Sequence, residues 1–384
     1  MEQDEKKGKH IDELRSLFDG ALPRRRFISI LGAASAGVIL GGCSKDSPTE
    51  PKKEEQQPPA APESADVAVA EIKVYDRTAL KNKMADMLDK LGGLEDIIPS
   101  GGKVGMKINL TGGPSAADQW KRSTGVDASE SFWTHPQIMN VMGELAIDAG
   151  AGKLYFLESY ADDRVFNYYG YQQVATRLSA DIINTDFVAP YQGYAKRSVG
   201  SQAFIYADLY QNGIYDELDC FISLPKVKQH VSAGITMGMK NLVGTLPQPR
   251  YSSEGSSNRW AIHSHTKYKG KNDPNTNNNL CRVILDINSA TKIHLTVNDT
   301  IKTAIGGEGP WCAMQNHTFD KLILSKDVVA ADTISTQIMG FNPAADDYTD
   351  TFALPSTPCI NYLREAERIG LGVNDLSKIT VHEV

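Results

Sequence analysis

The sequence predicts an α/β fold: a mostly parallel sheet with helices on both faces, forming a single large domain with one long loop excursion. Three observations lead there. From Val67 onward, strand-like and helix-like segments alternate, the order that builds parallel sheets with crossover helices. Leu218–Leu224 is built around the apolar run Cys220-Phe221-Ile222 and reads as a mainly apolar strand, as strands covered on both faces do. The length of 384 residues is enough for one large domain or two small ones, and no internal repeat divides it.

Taken in order, Val67–Tyr75 reads as a strand and Arg77–Leu91 as a helix closed by Gly92-Gly93. Lys103–Leu110 alternates and stops at the turn signal Thr111-Gly112-Gly113-Pro114. Thr134 stands as a cap before Pro136, and Ile138, Val141, Met142, Leu145 and Ala149 then recur at helical spacing. Strands follow at Lys153–Glu158 and Leu218–Leu224, and a helix is expected over Gly234–Gly244. Later come a helix at Leu280–Ala290, strands at Ile293–Val297 and Lys321–Leu324, helices at Val328–Met339 and Cys359–Ile369, and a last strand at Ile379–His382. The polar stretch Arg250–Asn279 is the loop excursion, and loops of that length are commonly functional.

Residues 1–66 read differently. Arg24-Arg25-Arg26-Phe27 matches the twin-arginine export pattern, with Arg24, Arg25 and Phe27 as its signature positions. The diluted apolar run Ile30–Leu40 suits a signal h-region. Leu40-Gly41-Gly42-Cys43 matches a lipobox, which predicts cleavage before a lipidated Cys43. Several acyl chains, at about 0.8 kcal/mol per buried CH₂, hold such a protein on a membrane. Ser44–Asp66 is rich in Pro, Glu, Lys and Gln, a composition that favours a solvated tether. The expected organisation is therefore a signal over 1–43, a tether over 44–66 and a folded domain over 67–384. The expected partners are the twin-arginine export machinery, the lipoprotein-processing machinery and, through the lipid anchor, a bacterial membrane's outer face.

A net charge of −7 gives no sign of nucleic-acid binding, which shows as clustered basic surface. Cys43, Cys220, Cys281, Cys312 and Cys359 form no C-x-x-C pair, so iron–sulfur, thioredoxin and zinc-ribbon signatures are missing. In an exported chain the last four admit three disulfide pairings. Cys220, in an apolar run, and Cys281, in a helical pattern, also read as buried thiols. No G-x-S-x-G, Walker A or H-E-x-x-H string occurs, and no G-x-G-x-x-G follows the first strand.

Ligands of open parallel sheets sit outside the carboxyl ends of the strands. Lys107 and Asn109 close one strand, and Pro225-Lys226-Val227-Lys228-Gln229-His230 follows another. With Lys240 and Arg250 nearby in sequence, these lysines form a candidate anion site. Asp299, Glu308, Asp332, His230, His263 and His265 are the candidate acid–base groups or ligands of a divalent metal.

The strings Ile222–His230 and Thr236–Gly244, the latter ending Met239-Lys240-Asn241-Leu242-Val243-Gly244, resemble the signature of the domain of unknown function 362 family. Lys107-Ile108-Asn109, Thr134-His135-Pro136, Val297–Ile301, Glu308-Gly309-Pro310 and Asp332 extend the resemblance from about Lys103 to the C-terminus. It implies that Lys107, Asn109, Lys226, Lys228, His230, Lys240, Asn241, His265, Asp299 and Asp332 belong to one site. Members with ferredoxin-type cysteine runs are described as iron–sulfur proteins; this sequence has no such run, so a cluster is not carried over. Two functions remain open. One is an enzyme acting on an anionic small molecule, with His230, Asp299 and Asp332 catalytic and, in a metal-assisted version, His230, His265, Asp299 and Asp332 as ligands. The other is a non-catalytic binding or accessory lipoprotein for a ligand or redox cofactor.

Overall fold

Side chains of a strand point alternately to its two faces, and the first strand, β1 (Ala65–Glu71), shows how the layers divide. Ala68 and Ala70 pack in one core, Val67 and Val69 in another. The computed structural model describes residues 61–384 except 161, 231, 253–258, 260–261, 263–275, 308 and 347–359. Arg24, Arg25, Phe27, Cys43, His263, His265, Glu308 and Cys359 lie outside the described residues.

The main sheet contains β2 (Lys103–Lys107), β3 (Lys153–Glu158), β4 (Asp181–Asn184), β7 (Cys220–Ser223), β8 (Lys226–His230), β9 (Gly234–Thr236), β10 (Leu295–Ile305), β11 (Gln315–Ser325) and β12 (Ile379–Glu383) with β1. Between β4 and β7, β5 (Ala195–Ser198) and β6 (Asp208–Gln211) form a separate antiparallel pair. The order is β12-β1-β11-β10-β7-β2-β3-β4, with β8 and β9 added beside β10. The run β10-β7-β2-β3-β4 is parallel throughout, whereas β11 is antiparallel to β1 and β10. The sheet is largely parallel, as expected.

The helices are α1 (Arg77–Lys90), α2 (Gly113–Thr124), α3 (Ala128–Ser131), α4 (Pro136–Asp148), α5 (Tyr171–Arg177), α6 (Gly238–Asn241), α7 (Gln248–Tyr251), α8 (Thr276–Ala290), α9 (Val328–Ile338) and α10 (Tyr362–Arg368). One face of the sheet is covered by α1, α2 and α4, through residues such as Leu80, Met84, Trp120, Ile138 and Met142. The opposite face carries α8, α9 and α10, through Leu285, Ile334 and Leu363. Each large apolar side chain so covered contributes about 1.5–3 kcal/mol, which explains why both faces demand helices.

Several expectations change. Gly234–Gly244 is not one helix: β9 hairpins back on β8, with Lys228 opposite Thr236, before the short α6 begins. The physical reason is β10, which outruns its partner β7 and offers unpaired backbone groups that β8 satisfies. Because β10 runs to Ile305, Asp299 lies inside a strand rather than after one. The Gly112-Gly113-Pro114 turn also starts a helix, α2. Positive φ at both glycines swings the chain, and Pro114 sits in the first turn, where its missing N–H costs nothing. The cap of α4 is His135, whose Nδ1 accepts from Gln137 N–H, and not Thr134. Thr134 Oγ1 instead ties Asn109 N–H to the Leu224 carbonyl.

Candidate functional site

Two buried ionic clusters meet the carboxyl edge of the sheet, one on each face. On the face covered by α1, α2 and α4, Lys226 and Lys228 project together from β8, since they are two residues apart. Both are buried, with 0% and 1% of their surface exposed. Lys226 Nζ donates to Asp299 Oδ2 (2.6 Å), the Tyr75 hydroxyl (2.7 Å) and the Glu130 carbonyl (3.0 Å), and lies 3.2 Å from the Lys302 carbonyl. The Tyr75 hydroxyl in turn donates to Asp299, 3.0 and 3.1 Å from its two oxygens. Burial lowers the Lys226 pKa, while Asp299 opposes the shift. Burial and the Asp299 charge raise that of Tyr75, so the phenol stays protonated.

Around this core, His135 stacks flat on Tyr75, with ring centroids 3.6 Å apart. Its Nδ1 is occupied as an acceptor, which puts a neutral ring's proton on Nε2, 3.7 Å from Glu130 Oε1. The neighbouring His135 Nε2 and Lys302, 2.5 Å away, bring the Glu130 pKa down to about 2. Burial lowers that of His135. Lys228 Nζ donates to the Phe132 carbonyl (2.9 Å) and sits over the Phe132 ring at 3.8 Å. His230 follows on the same alternation, and its Nδ1 accepts from Ser232 N–H.

The second cluster lies at the ends of β2 and β3. Lys107 Nζ donates to Glu158 Oε1 (2.8 Å) and the Ile108 carbonyl (2.6 Å). Glu158 also accepts from Leu110 N–H (2.7 Å) and Ser159 N–H (2.8 Å). Gly244 packs closely beside them: a Cβ there would lie 2.6 Å from Lys107 Nζ, so the ion pair would have to shift. Beyond Glu158, Ser159 bonds Asp186, and Arg259 reaches both from the far side. Burial lowers the pKa of Lys107 and of Arg259, with the neighbouring acids opposing it.

Asp332 belongs to neither cluster. It lies on α9, on the face opposite Asp299, where its carboxylate accepts from Gly238 N–H, Met239 N–H and Asn298 Nδ2. Asn298 and Asp299 are consecutive in β10, so their side chains leave the sheet in opposite directions. Asp299 and Asp332 therefore do not share a ligand sphere. Among the described residues no three His, Cys, Asp or Glu side chains gather as metal ligands; of the expected divalent-metal set, Asp299 and Asp332 lie on opposite faces and His265 lies outside the described residues.

The remaining expected residues divide in the same way. Asn241, on α6, donates to the Lys107 carbonyl and Ser223 Oγ; Lys240, its neighbour, is buried. Asn109 accepts from Thr111. Arg250 is exposed on α7 and stacks 3.5 Å over the Tyr210 ring. The nine of the ten expected residues that are described thus divide between two clusters separated by the sheet, with Asp332 buttressing the second face. Sequence reasoning missed Tyr75, Glu130, Lys302, Glu158, Asp186 and Arg259. Glu158 ends a correctly read strand, and the strand-end rule that selected Lys107 would have found it too. Cys220 is a buried free thiol whose pKa burial pushes up to about 12, and Cys312 is likewise free.

These features define an α/β protein with buried lysine–carboxylate pairs at the carboxyl edge of a largely parallel sheet. A family model described as "Domain of unknown function (DUF362)" matches residues 121–337, more than half of the chain, and the protein belongs to that family. It is also similar to the thylakoid-associated protein sll1697 of Synechocystis sp., with 25% identity over 281 residues, covering 72% of this chain and 75% of that protein.

Proposed function

We propose that this protein is an exported, lipid-anchored protein that binds an anionic small molecule at the carboxyl edge of its sheet. The observation that carries the reading is the buried basic row of β8. Lys226, Lys228 and His230 share one face, Lys107 stands buried at the end of β2, and Asp299 and Glu158 hold two of the lysines at hydrogen-bond distance. Held ammonium groups at strand ends are pre-oriented for carboxylate or phosphate oxygens. Lys226 and Asp299 fix the row, and Lys228 and His230 meet the ligand.

Membrane attachment in this reading comes from Cys43. Among the described residues no helix is long and apolar enough to cross a membrane. The similar Synechocystis protein is described as thylakoid-associated, which supports a membrane location. Two measurements test the proposal. Thermal-shift assays of the full chain against succinate, sulfate and inorganic phosphate should give stabilisation that Lys228→Gln reduces for at least one anion; identical shifts in both proteins for every anion refute the site. Membrane fractionation should find the wild-type chain with membranes and Cys43→Ser in the soluble fraction. Equal partition of the two removes the anchor.

A further inference from the structure

Where α1, α4 and α5 meet, three basic side chains close on one carboxylate. Glu144, on α4, is buried. Arg77 contacts its Oε1 through Nε (2.8 Å) and a terminal nitrogen (2.7 Å), and Arg177 reaches the same oxygen at 2.6 Å. Lys81 lies 3.5 Å from Oε2 and 2.7 Å from Asp148. Arg177 also donates to Asn140 Oδ1.

One arginine is enough to neutralise one buried carboxylate; here two arginines attend it, while Lys81 beside them pairs chiefly with Asp148. Guanidinium groups that share a single oxygen are neighbours, and neighbouring like charges repel. Each guanidinium carries five N–H donors in a planar fork, more than Glu144 and Asn140 accept. The side chains of Arg77 and Arg177 are 54% and 44% exposed, so unspent donors face solvent beside each other. Such an excess of cationic donors, pinned by a buried acid, is complementary to a second anion with several oxygens.

We propose that Arg77 and Arg177, fixed by Glu144, form a phosphate-binding subsite, with Lys81 adding charge at its rim. Guanidinium forks pair bidentately with phosphate oxygens, and a bound phosphate relieves the repulsion between them. The same chemistry is offered by soluble phosphate compounds and by phosphodiester lipid headgroups. The inference is independent of the reading of the strand edge.

The test is calorimetric titration of the full chain carrying Cys43→Ser with inorganic phosphate at low ionic strength, alongside flotation on phosphatidylglycerol and phosphatidylcholine vesicles. The expected result is phosphate or phosphatidylglycerol binding that Arg77→Gln/Arg177→Gln weakens at least tenfold, with an unchanged circular dichroism spectrum. Arg77→Gln alone, which leaves Arg177 and Lys81 on Glu144, carries the test if the double variant does not fold. Flotation on phosphatidylglycerol alone assigns a headgroup; titration by free phosphate assigns a soluble compound. No binding of either probe, or equal binding in wild type and arginine variants, overturns the subsite. Binding lost only in Lys228→Gln belongs to the strand edge and overturns it as well.

Discussion

Asp299, in β10, and Asp332, in α9, are both fully buried carboxylates on opposite faces of the sheet, yet they are held in different ways. Asp299 faces an ammonium and a phenol. Asp332 faces only N–H donors: two from the first turn of α6 and one from Asn298. Burial without a cation raises the Asp332 pKa to about 7, against an ordinary aspartate near 3.9. The difference teaches what each does. An acid locked to a lysine organises charge at the strand edge, whereas an acid that satisfies a helix start positions α6, and with it Lys240 and Asn241.

The contrast can be broken most severely at the ion pair. Lys226→Met leaves the Asp299 charge buried and unpaired, and the expected loss of stability is about 3–5 kcal/mol by urea denaturation. Adding Asp299→Leu should recover most of it, because a buried pair replaced whole by apolar residues is often close to neutral. A single variant as stable as wild type would show that the pair organises nothing.

At Gly244 the second cluster can be tested by steric means. Gly244→Ala places a Cβ 2.6 Å from Lys107 Nζ and 2.8 Å from Glu158 Oε1. Overpacking of this kind costs about 1–3 kcal/mol, and the same variant should weaken any anion binding that depends on Lys107.

Protonation sharpens the comparison further. The folded-state pKa of Asp332 is raised, so the native protein binds more protons than the unfolded chain between about pH 4 and pH 7. Its contribution to stability is therefore full below pH 4 and lost as pH rises towards 7. The stability difference between wild type and Asp332→Asn, measured by denaturation at pH 4, 5.5 and 7, should change in that direction and level off above 7. A pH-independent difference contradicts the assignment. The smallest effect is expected at the cap of α4, where His135→Ala should cost about 0.5–2 kcal/mol through loss of the Gln137 bond.

Much of this was legible in the sequence where local pattern and tertiary demand agree. Lys153–Glu158 is a strand within the expected limits, and the Arg77 helix and the Val328 helix lie where their periodicity puts them. The reading failed where a distant partner decides. Gly234–Gly244 carries helical spacing of Ile235, Met239 and Leu242, but the free edge of β10 recruits the preceding residues into a hairpin. Lysines at strand ends were visible as charge; their partners were not, because Tyr75 and Glu130 lie far from Lys226 in sequence. Strand alternation alone implies that neighbours such as Asn298 and Asp299 face apart, once β10 is known to continue past Val297.

The central claim is that the buried basic row of β8 binds an anion. Its most direct test is calorimetric titration of the full-length wild type and Lys228→Gln with succinate, sulfate and inorganic phosphate, after circular dichroism has matched their folds. The expected result is saturable binding of at least one of these anions by the wild type, weakened at least tenfold by the substitution. Equal affinities for every anion in the two proteins, or no binding by the wild type, would contradict it.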